Sequence, residues 1–135
     1  MSILDLGGID VNDSFEPKAM DADSEVEVQI VDVKMETDKN GEPYLLPRFE
    51  VIDEPTAKEF TKFLRVPHKG LAEKKLNSAK RTLANFGAAF DVDFSGKFDI
   101  EELRGLTGWV IVGIDGEEGD EYGEQNYVKR FVAPK

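Results

Sequence analysis

Basic residues are concentrated between residues 58 and 81, with aromatic residues among them, and this window carries the strongest chemical signal in the sequence. It holds eight Lys or Arg residues against two Glu, a net charge of +6, whereas the whole chain of 135 residues carries −11. Phe60, Phe63 and the single histidine, His68, lie between these charges. This combination suits a polyanion that also presents flat faces, such as a single-stranded nucleic acid. The window predicts a nucleic-acid-binding surface, and the alternative is a lysine-rich face that contacts only solvent.

Acidic residues are concentrated in two segments outside this window. Residues 1–25 carry seven Asp or Glu against a single Lys, and residues 113–124 carry six acidic residues and no basic one. Such a chain is too acidic to coat duplex DNA by charge alone. Because exposed charges are screened beyond about 8–10 Å, a local basic groove can still bind a polyanion. The charge pattern therefore favours a localised binding surface.

The residue types on which most enzymes depend are scarce. Cysteine is absent and His68 is the only histidine, which excludes a thiolate nucleophile, a cysteine zinc site and a two-histidine metal site. Neither a phosphate-binding Gly-x-x-x-x-Gly-Lys-Ser/Thr motif nor a Gly-x-Ser-x-Gly motif occurs. The carboxylates of residues 115–124 lack the spacing of a calcium-binding loop. The sequence therefore predicts a protein that is not an enzyme and that uses neither a cofactor nor a metal.

The composition is that of one small domain. With 135 residues, of which 40% are hydrophobic, the chain can build a single modest core. It has no run of about 18 apolar residues, and its first residues have neither a basic nor an apolar leader region. We therefore expect no membrane span and no signal peptide. The absence of cysteine fits the reducing environment of the cytoplasm.

Alternating apolar residues predict five strands that position the basic window. The first strand starts at Val26, and its alternation changes parity after Ile30, which indicates a β-bulge. An Asn-Gly turn then leads into a second strand from about Tyr44 to Ile52, whose core face carries Phe49. The three remaining strands are predicted at 58–66, 109–112 and 125–132.

One main helix is predicted between the third and fourth strands. Apolar residues recur at helical spacing from Ala72 to Phe86, and Gly87 is placed to end this helix. A shorter helix is expected after Asp99, which can accept hydrogen bonds from the first turn, and Gly105 is expected to stop it.

The predicted element order, β-β-β-α-β-β, is that of an OB-fold. The sequence therefore predicts an all-β protein with one main helix between strands three and four, built as a five-stranded Greek-key barrel. Residues 25–135 are predicted to form this domain, and residues 1–24 a flexible acidic arm in front of it. Oligomeric ligands of OB-folds bind across strands two and three and the loops beside them, so the basic window falls on the binding face.

Strand parity divides the aromatic residues between core and surface. If Phe49 faces the core, Tyr44 and Arg48 face outward, where a ring can stack on a base and a guanidinium can bind a phosphate. A half-buried position for Tyr44 and a core position for Phe63 are alternatives that the sequence leaves open. The candidate stacking residues are Tyr44, Phe63, Tyr122 and Tyr127, and the candidate phosphate-binding residues are Arg48, Lys58, Lys62, Arg65, Lys69 and Lys129.

Short signatures across residues 25–132 resemble those of phage-encoded single-stranded DNA-binding proteins. They read KNGEPYL at 39–45, FEV at 49–51, ANFG at 84–87, LRGLTG at 103–108 and YGEQNYVKRF at 122–131. The resemblance implies an OB-fold that coats and protects single strands without sequence preference during phage DNA replication or recombination. It also implies a location in the cytoplasm of an infected bacterial host.

Members of this family commonly end in an acidic tail that recruits replication partners, whereas this sequence ends Ala133-Pro134-Lys135. Recruitment of replication or recombination proteins would then fall to the acidic segments 1–25 or 115–124. A hypothesis of another class also stays open. In it, the protein is an acidic protein-interaction or DNA-mimic module that binds a host or phage protein and does not bind DNA.

Overall fold

The computed structural model of the protein describes residues 2–134, which form one sheet and one α-helix. The strands are β1 (Glu25–Thr37), β2 (Pro43–Val51), β3 (Phe60–Thr61), β4 (Leu64–Arg65), β5 (Thr107–Asp115) and β6 (Gln125–Val132). Helix α1 (Glu73–Phe90) and a 3₁₀ helix (Ile100–Leu103) lie between β4 and β5. Neither helix within residues 2–134 combines the length and hydropathy that a bilayer-spanning helix requires.

The sheet is open and entirely antiparallel. Its order is β3-β2-β1-β5-β6, and β4 pairs with the other end of β2. The two outermost strands, β3 and β6, approach each other to within 8 Å between Cα atoms, so the sheet is curled into a barrel-like shape. The prediction of a mostly β protein with one main helix is confirmed, with six strands where five were predicted.

The bulge predicted in the first strand is present. The register between β1 and β2 shifts between Ile30 and Asp32. At this point the Ile30 N–H donates to the carbonyl of Leu106 (2.9 Å), and the Gly105 N–H donates to the carbonyl of Ile30 (2.8 Å). The bulge lies where the pairing of β1 with β5 ends, after Gln29, and it bends the strand there while pairing with β2 continues to Thr37.

The prediction of a single third strand at 58–66 is wrong, because the chain forms two short strands there. Phe60 of β3 and Leu64 of β4 are both buried, so a regular strand would also point residue 62 into the core. That residue is Lys62, and burying an unpaired ammonium is costly. The break removes Lys62 from the ladder and leaves its side chain half-buried, while its N–H donates to the carbonyl of Pro47 (3.2 Å).

Helix α1 continues one turn past Gly87, where the sequence predicted its end. Gly87 is buried, and a Cβ there would lie 2.7 Å from the carbonyl oxygen of Val92. This glycine therefore allows the chain after the helix to fold back closely against it. The helix ends instead at Asp91, which adopts the left-handed conformation with φ of 57°.

The core lies between the inner face of the sheet and the C-terminal half of α1. Phe86 and Phe90 of the helix have ring centroids 5.0 Å apart, and Phe90 stacks on Phe49 of β2 at 5.8 Å. At Gly108 of β5, a Cβ would lie 2.7 Å from the carbonyl oxygen of Ala89. The missing side chain therefore lets the helix backbone rest directly on the strand.

The predicted acidic arm has two structurally different parts. Residues 2–17 belong to no strand or helix, whereas residues 18–24 bind the domain. The Lys18 N–H donates to the carbonyl of Thr56 (2.8 Å), and both backbone polar groups of Met20 bond to the buried side chain of Asn126 (2.7 and 2.9 Å). This second part therefore bridges the segment before β3 and strand β6. The flexibility of the arm stays a prediction.

Candidate nucleic-acid interface

Two aromatic rings meet on the outer face of the sheet. Tyr44 of β2 is half-buried, and Phe63, which lies in the break between β3 and β4, is 44% exposed. Their ring centroids are 4.7 Å apart and their planes are inclined by 33°. The next residue along β2, Leu45, is buried in the core, so alternation places Tyr44 on the outer face. The two rings together form a partly exposed aromatic platform, which we call the Tyr44–Phe63 pair.

The hydroxyl group of Tyr44 is held in place by the neighbouring strand. It donates a hydrogen bond of 3.1 Å to Oε2 of Glu36, its cross-strand partner on β1. This hydrogen bond, together with partial burial and the negative charges of Glu36 and Asp38, raises the pKa of Tyr44 above its ordinary value. The ring is therefore neutral and restrained at physiological pH, as a stacking surface should be.

The guanidinium of Arg65 lies over the face of Phe63. Its Cζ atom is 5.5 Å from the ring centroid, within the range of a cation–π contact. The same group is paired with the carboxylate of Glu42 and lies 3.7 Å from Oδ2 of Asp38, both in the β1–β2 turn. Arg65 therefore covers one face of Phe63 and helps to hold the Tyr44–Phe63 pair in place, while the carboxylates of the turn largely balance its charge.

Helix α1 also contributes to this corner of the molecule. The ammonium of Lys75 is 3.9 Å from Oε2 of Glu42. Sequence reasoning placed Lys75 on the helix but did not assign it to the site. The only available signal was the short connection between Arg65 and the helix, which keeps the first turns of α1 near the end of β4.

Two further cations share the outer face of β1 and β2. Arg48 is half-exposed, and its Nε atom lies 3.0 Å from Oε2 of Glu59. Lys34 of β1 is exposed and faces Leu46 of β2 across the ladder. Lys34 was missed from the sequence, although the parity change at the bulge places it on the same face as Tyr44. Exposed ion pairs such as that of Arg48 are weak, so this guanidinium can exchange its partner for a phosphate.

Lys62 and Lys69 are basic residues close to Phe63 in the sequence. Lys62 precedes Phe63 in the break, and Lys69 is exposed in the turn before α1. In the part of the chain that the structure describes, neither ammonium makes an ion pair. These two side chains are the basic groups nearest in sequence to Phe63 that have no competing partner.

Lys58 and Tyr122 belong to a different place, the acidic loop 115–124. The ammonium of Lys58 donates to the carbonyl oxygens of Tyr122 (3.0 Å) and Glu124 (2.8 Å). Lys58 precedes β3, at the opposite end of β2 from Tyr44. Its charge therefore fixes the acidic loop, and the exposed ring of Tyr122 stands in that loop rather than beside the Tyr44–Phe63 pair.

Tyr127 and Lys129 form a separate group on β6. The ring of Tyr127 covers Gly113 of β5, where a Cβ would lie 2.4 Å from the ring. The ammonium of Lys129 pairs with the carboxylate of Asp23, and this hydrogen bond and the charge of Asp23 raise the pKa of Lys129. Both residues therefore have structural partners, and β6 is three strands away from β2 in the sheet order.

The β1–β2 turn beside Arg65 is organised by the Asp38 carboxylate. It accepts hydrogen bonds from the N–H groups of Glu42 (3.0 Å) and Asn40 (2.8 Å). The bond from Glu42 is the main cause that lowers the pKa of Asp38, assisted by the Asn40 bond and the charges of Arg65 and Lys75, while partial burial opposes the shift.

We expect the Asp38→Asn variant to be destabilised only at pH values where the native carboxylate is charged. The folded-state pKa lies below the ordinary value of 3.8, so the charge stabilises the fold above that value. This contribution is lost as the pH falls through the folded-state pKa. Urea midpoints of the two proteins should therefore differ at about pH 6 and converge as the pH falls below the ordinary value of 3.8. If the difference between the two urea midpoints instead stays constant as the pH falls, the charge of Asp38 is not the cause of the destabilisation.

Among residues 2–134, no three His, Asp or Glu side chains are grouped so that they could hold a metal ion. Comparison of the sequence with protein-family models and with curated proteins finds no match. The function must therefore be inferred from the geometry and charge of the site itself.

Proposed function

We propose that this protein is an OB-fold protein that binds single-stranded DNA, coating and protecting it without sequence preference. The observation that carries the proposal is the partly exposed Tyr44–Phe63 pair on the outer sheet face, which it shares with Lys34 and Arg48. The sheet order, the helix between β4 and β5, and the approach of β3 to β6 are compatible with an OB-fold. In that fold, the face that carries this pair is the one that binds oligonucleotides.

The proposed binding mechanism combines stacking with phosphate contacts. Every base has a flat face, so stacking on Phe63 and Tyr44 tolerates any sequence, and each stacked base contributes about 1–3 kcal/mol. Arg65 holds the rings in place rather than binding phosphate, because Glu42 already pairs with it. We assign the phosphate contacts to four cations, of which Lys34 and Arg48 lie on the face of Tyr44, and Lys62 and Lys69 lie close to Phe63 in the sequence.

We assign a smaller contribution to DNA binding to the remaining residues that the sequence predicted for the site. Lys58 and Lys129 bind carbonyl oxygens and Asp23, respectively, so their charges are less available to DNA. The rings of Tyr122 and Tyr127 are exposed and can extend the stacking surface for a longer strand. We infer the biological setting, phage replication or recombination in the cytoplasm of an infected bacterial host, from the sequence resemblance alone.

A titration of a fluorescent single strand of about 30 nucleotides tests this function, since an OB-fold covers about 4–16 nucleotides. We expect fluorescence anisotropy to show binding at low salt that duplex DNA of equal length does not displace. With four phosphate contacts, log K should fall with log salt at a slope of about −3. If no binding occurs even at low salt, the acidic protein-interaction or DNA-mimic module becomes the better account.

A further inference from the structure

Residues 2–17 expose apolar side chains that soluble domains usually bury. Ile3 and Leu4 are each 83% exposed, and Ile9 and Val11 are also largely exposed. Four acidic residues and no basic one lie in the same segment, giving it a net charge of −4. Apolar anchors separated by acidic residues are typical of a segment that binds to another surface.

An apolar groove of about 500 Å³ runs along the exposed side of α1. Its floor is formed by side chains of the helix and of the chain that folds back after it. The charged lining residues are Lys80 and Asp93, and no residue of the 2–17 segment contributes to the lining within the described part of the chain. The main apolar lining residues are Pro67, Leu83, Ala84, Val92 and Phe94. The groove therefore offers an apolar surface against which the exposed apolar side chains of an arm can pack.

Helix α1, which forms one side of the groove, carries a charge opposite to that of the arm. Helix α1 carries four basic residues against Glu73 alone, a net charge of +3, and all four are exposed. The arm carries −4. Complementary fields of this kind steer two surfaces together and fix their orientation. The basic residues of the helix are Lys74, Lys75, Lys80 and Arg81.

We propose that residues 2–17 of one copy of this protein dock into the α1 groove of a second copy. The arm is fixed to its own domain at Lys18, which bonds to Thr56 before β3, and Phe15 and Pro17 still line a groove with residues of that domain. The apolar side chains farther from Lys18 are exposed and do not line the α1 groove of the same chain; they include Ile3, Leu4, Ile9 and Val11. Because arm and groove are different surfaces, the contact is heterologous and repeats head to tail from copy to copy. On a single strand this would place neighbouring copies side by side, and that consequence alone rests on the proposed DNA binding.

Sedimentation velocity of the full chain, without DNA and at low salt, tests the contact. We expect the sedimentation coefficient of the wild type to rise with protein concentration and to fall back when salt is added. Ala84→Glu introduces a charge into the groove and should weaken self-association about tenfold or more. Asn85→Glu is the matched control, since Asn85 is exposed on the same helix but does not line the groove, and it should behave like the wild type.

A second variant removes the other half of the contact without touching the folded domain. Leu4→Ser combined with Ile9→Ser changes two exposed arm residues and should abolish the concentration dependence. A wild type that stays monomeric at every concentration would overturn the proposal, including the case in which the arm occupies its own groove. Equal behaviour of Ala84→Glu and Asn85→Glu would overturn it as well. Because DNA is absent, neither result bears on single-strand binding.

Discussion

Replacement of either Tyr44 or Phe63 by alanine is expected to weaken single-stranded DNA binding by about 5- to 150-fold. Each substitution removes the stacking surface for one base, and stacking of one base contributes about 1–3 kcal/mol. Both rings are at least partly exposed on the outer face, so the urea midpoint should stay near that of the wild type. Fluorescence anisotropy and urea denaturation of the same samples measure both effects.

The double variant, Tyr44→Ala with Phe63→Ala, tests whether the two rings act together in DNA binding. Their centroids are 4.7 Å apart, so the losses should not be additive. Trp109→Ala is the control, because Trp109 is a similarly exposed aromatic residue on β5, two strands away from β2. It should leave the affinity nearly unchanged. If Tyr44→Ala unfolds the domain instead, Tyr44 is a structural residue and the proposed stacking face is wrong.

Phe86→Ala is expected to cause the largest loss of stability, about 3–5 kcal/mol. The ring is fully buried and contacts three others, with centroid distances of 5.0 Å to Phe90, 5.9 Å to Phe94 and 5.5 Å to Phe131. Its removal leaves a cavity where α1 packs on the sheet. Since the free energy of unfolding of a small domain is only about 5–15 kcal/mol, this substitution removes a large fraction of it.

Urea denaturation followed by circular dichroism measures this loss. The matched control is Asn85→Ala, an exposed neighbour on the same helix, which should shift the free energy of unfolding by less than about 0.5 kcal/mol. A loss below about 1 kcal/mol for Phe86→Ala would mean that the site collapses around the missing ring, and that α1 does not depend on this contact.

Elements with strong local patterns could be predicted from the sequence. Strand β6 has the bounds predicted from its alternation, Gln125–Val132, and the β1 bulge lies where the parity changes, after Ile30. The short helix after Asp99 is present as a 3₁₀ helix, with the Asp99 carboxylate accepting from the N–H of Glu101. In each case the residues that decide the structure are neighbours along the chain.

Features decided by how the chain packs, rather than by local residue types, could not be predicted. Gly87 has the residue type that ends helices, but the closeness of Val92 explains the glycine, and the helix runs on to Phe90. The break between β3 and β4 depends on which side of the strand faces the core, because a regular strand would bury Lys62. Only the packed structure shows that the chain avoids burying Lys62 by breaking the strand.

The sequence predicts which residues could belong to the candidate site, but not which of them lie together in space. Parity predicts an outward position for Tyr44, whereas a core position for Phe63 stays open from the sequence, and the strand break is what exposes that ring beside Tyr44. Lys58 was grouped with the phosphate ligands because of its charge alone. Its two carbonyl acceptors in the acidic loop have no local sequence signal.

The central claim is that the outer face around the Tyr44–Phe63 pair binds single-stranded DNA, and amide chemical-shift mapping by NMR tests it most directly. An oligothymidine titrated into labelled protein should shift the amide signals of β2, β4 and the first turns of α1, with the largest changes near Tyr44, Phe63 and Arg65. The signals of the central part of β5 should change least. Shifts confined to the acidic loop 115–124, or no shifts at saturating DNA, would contradict the claim.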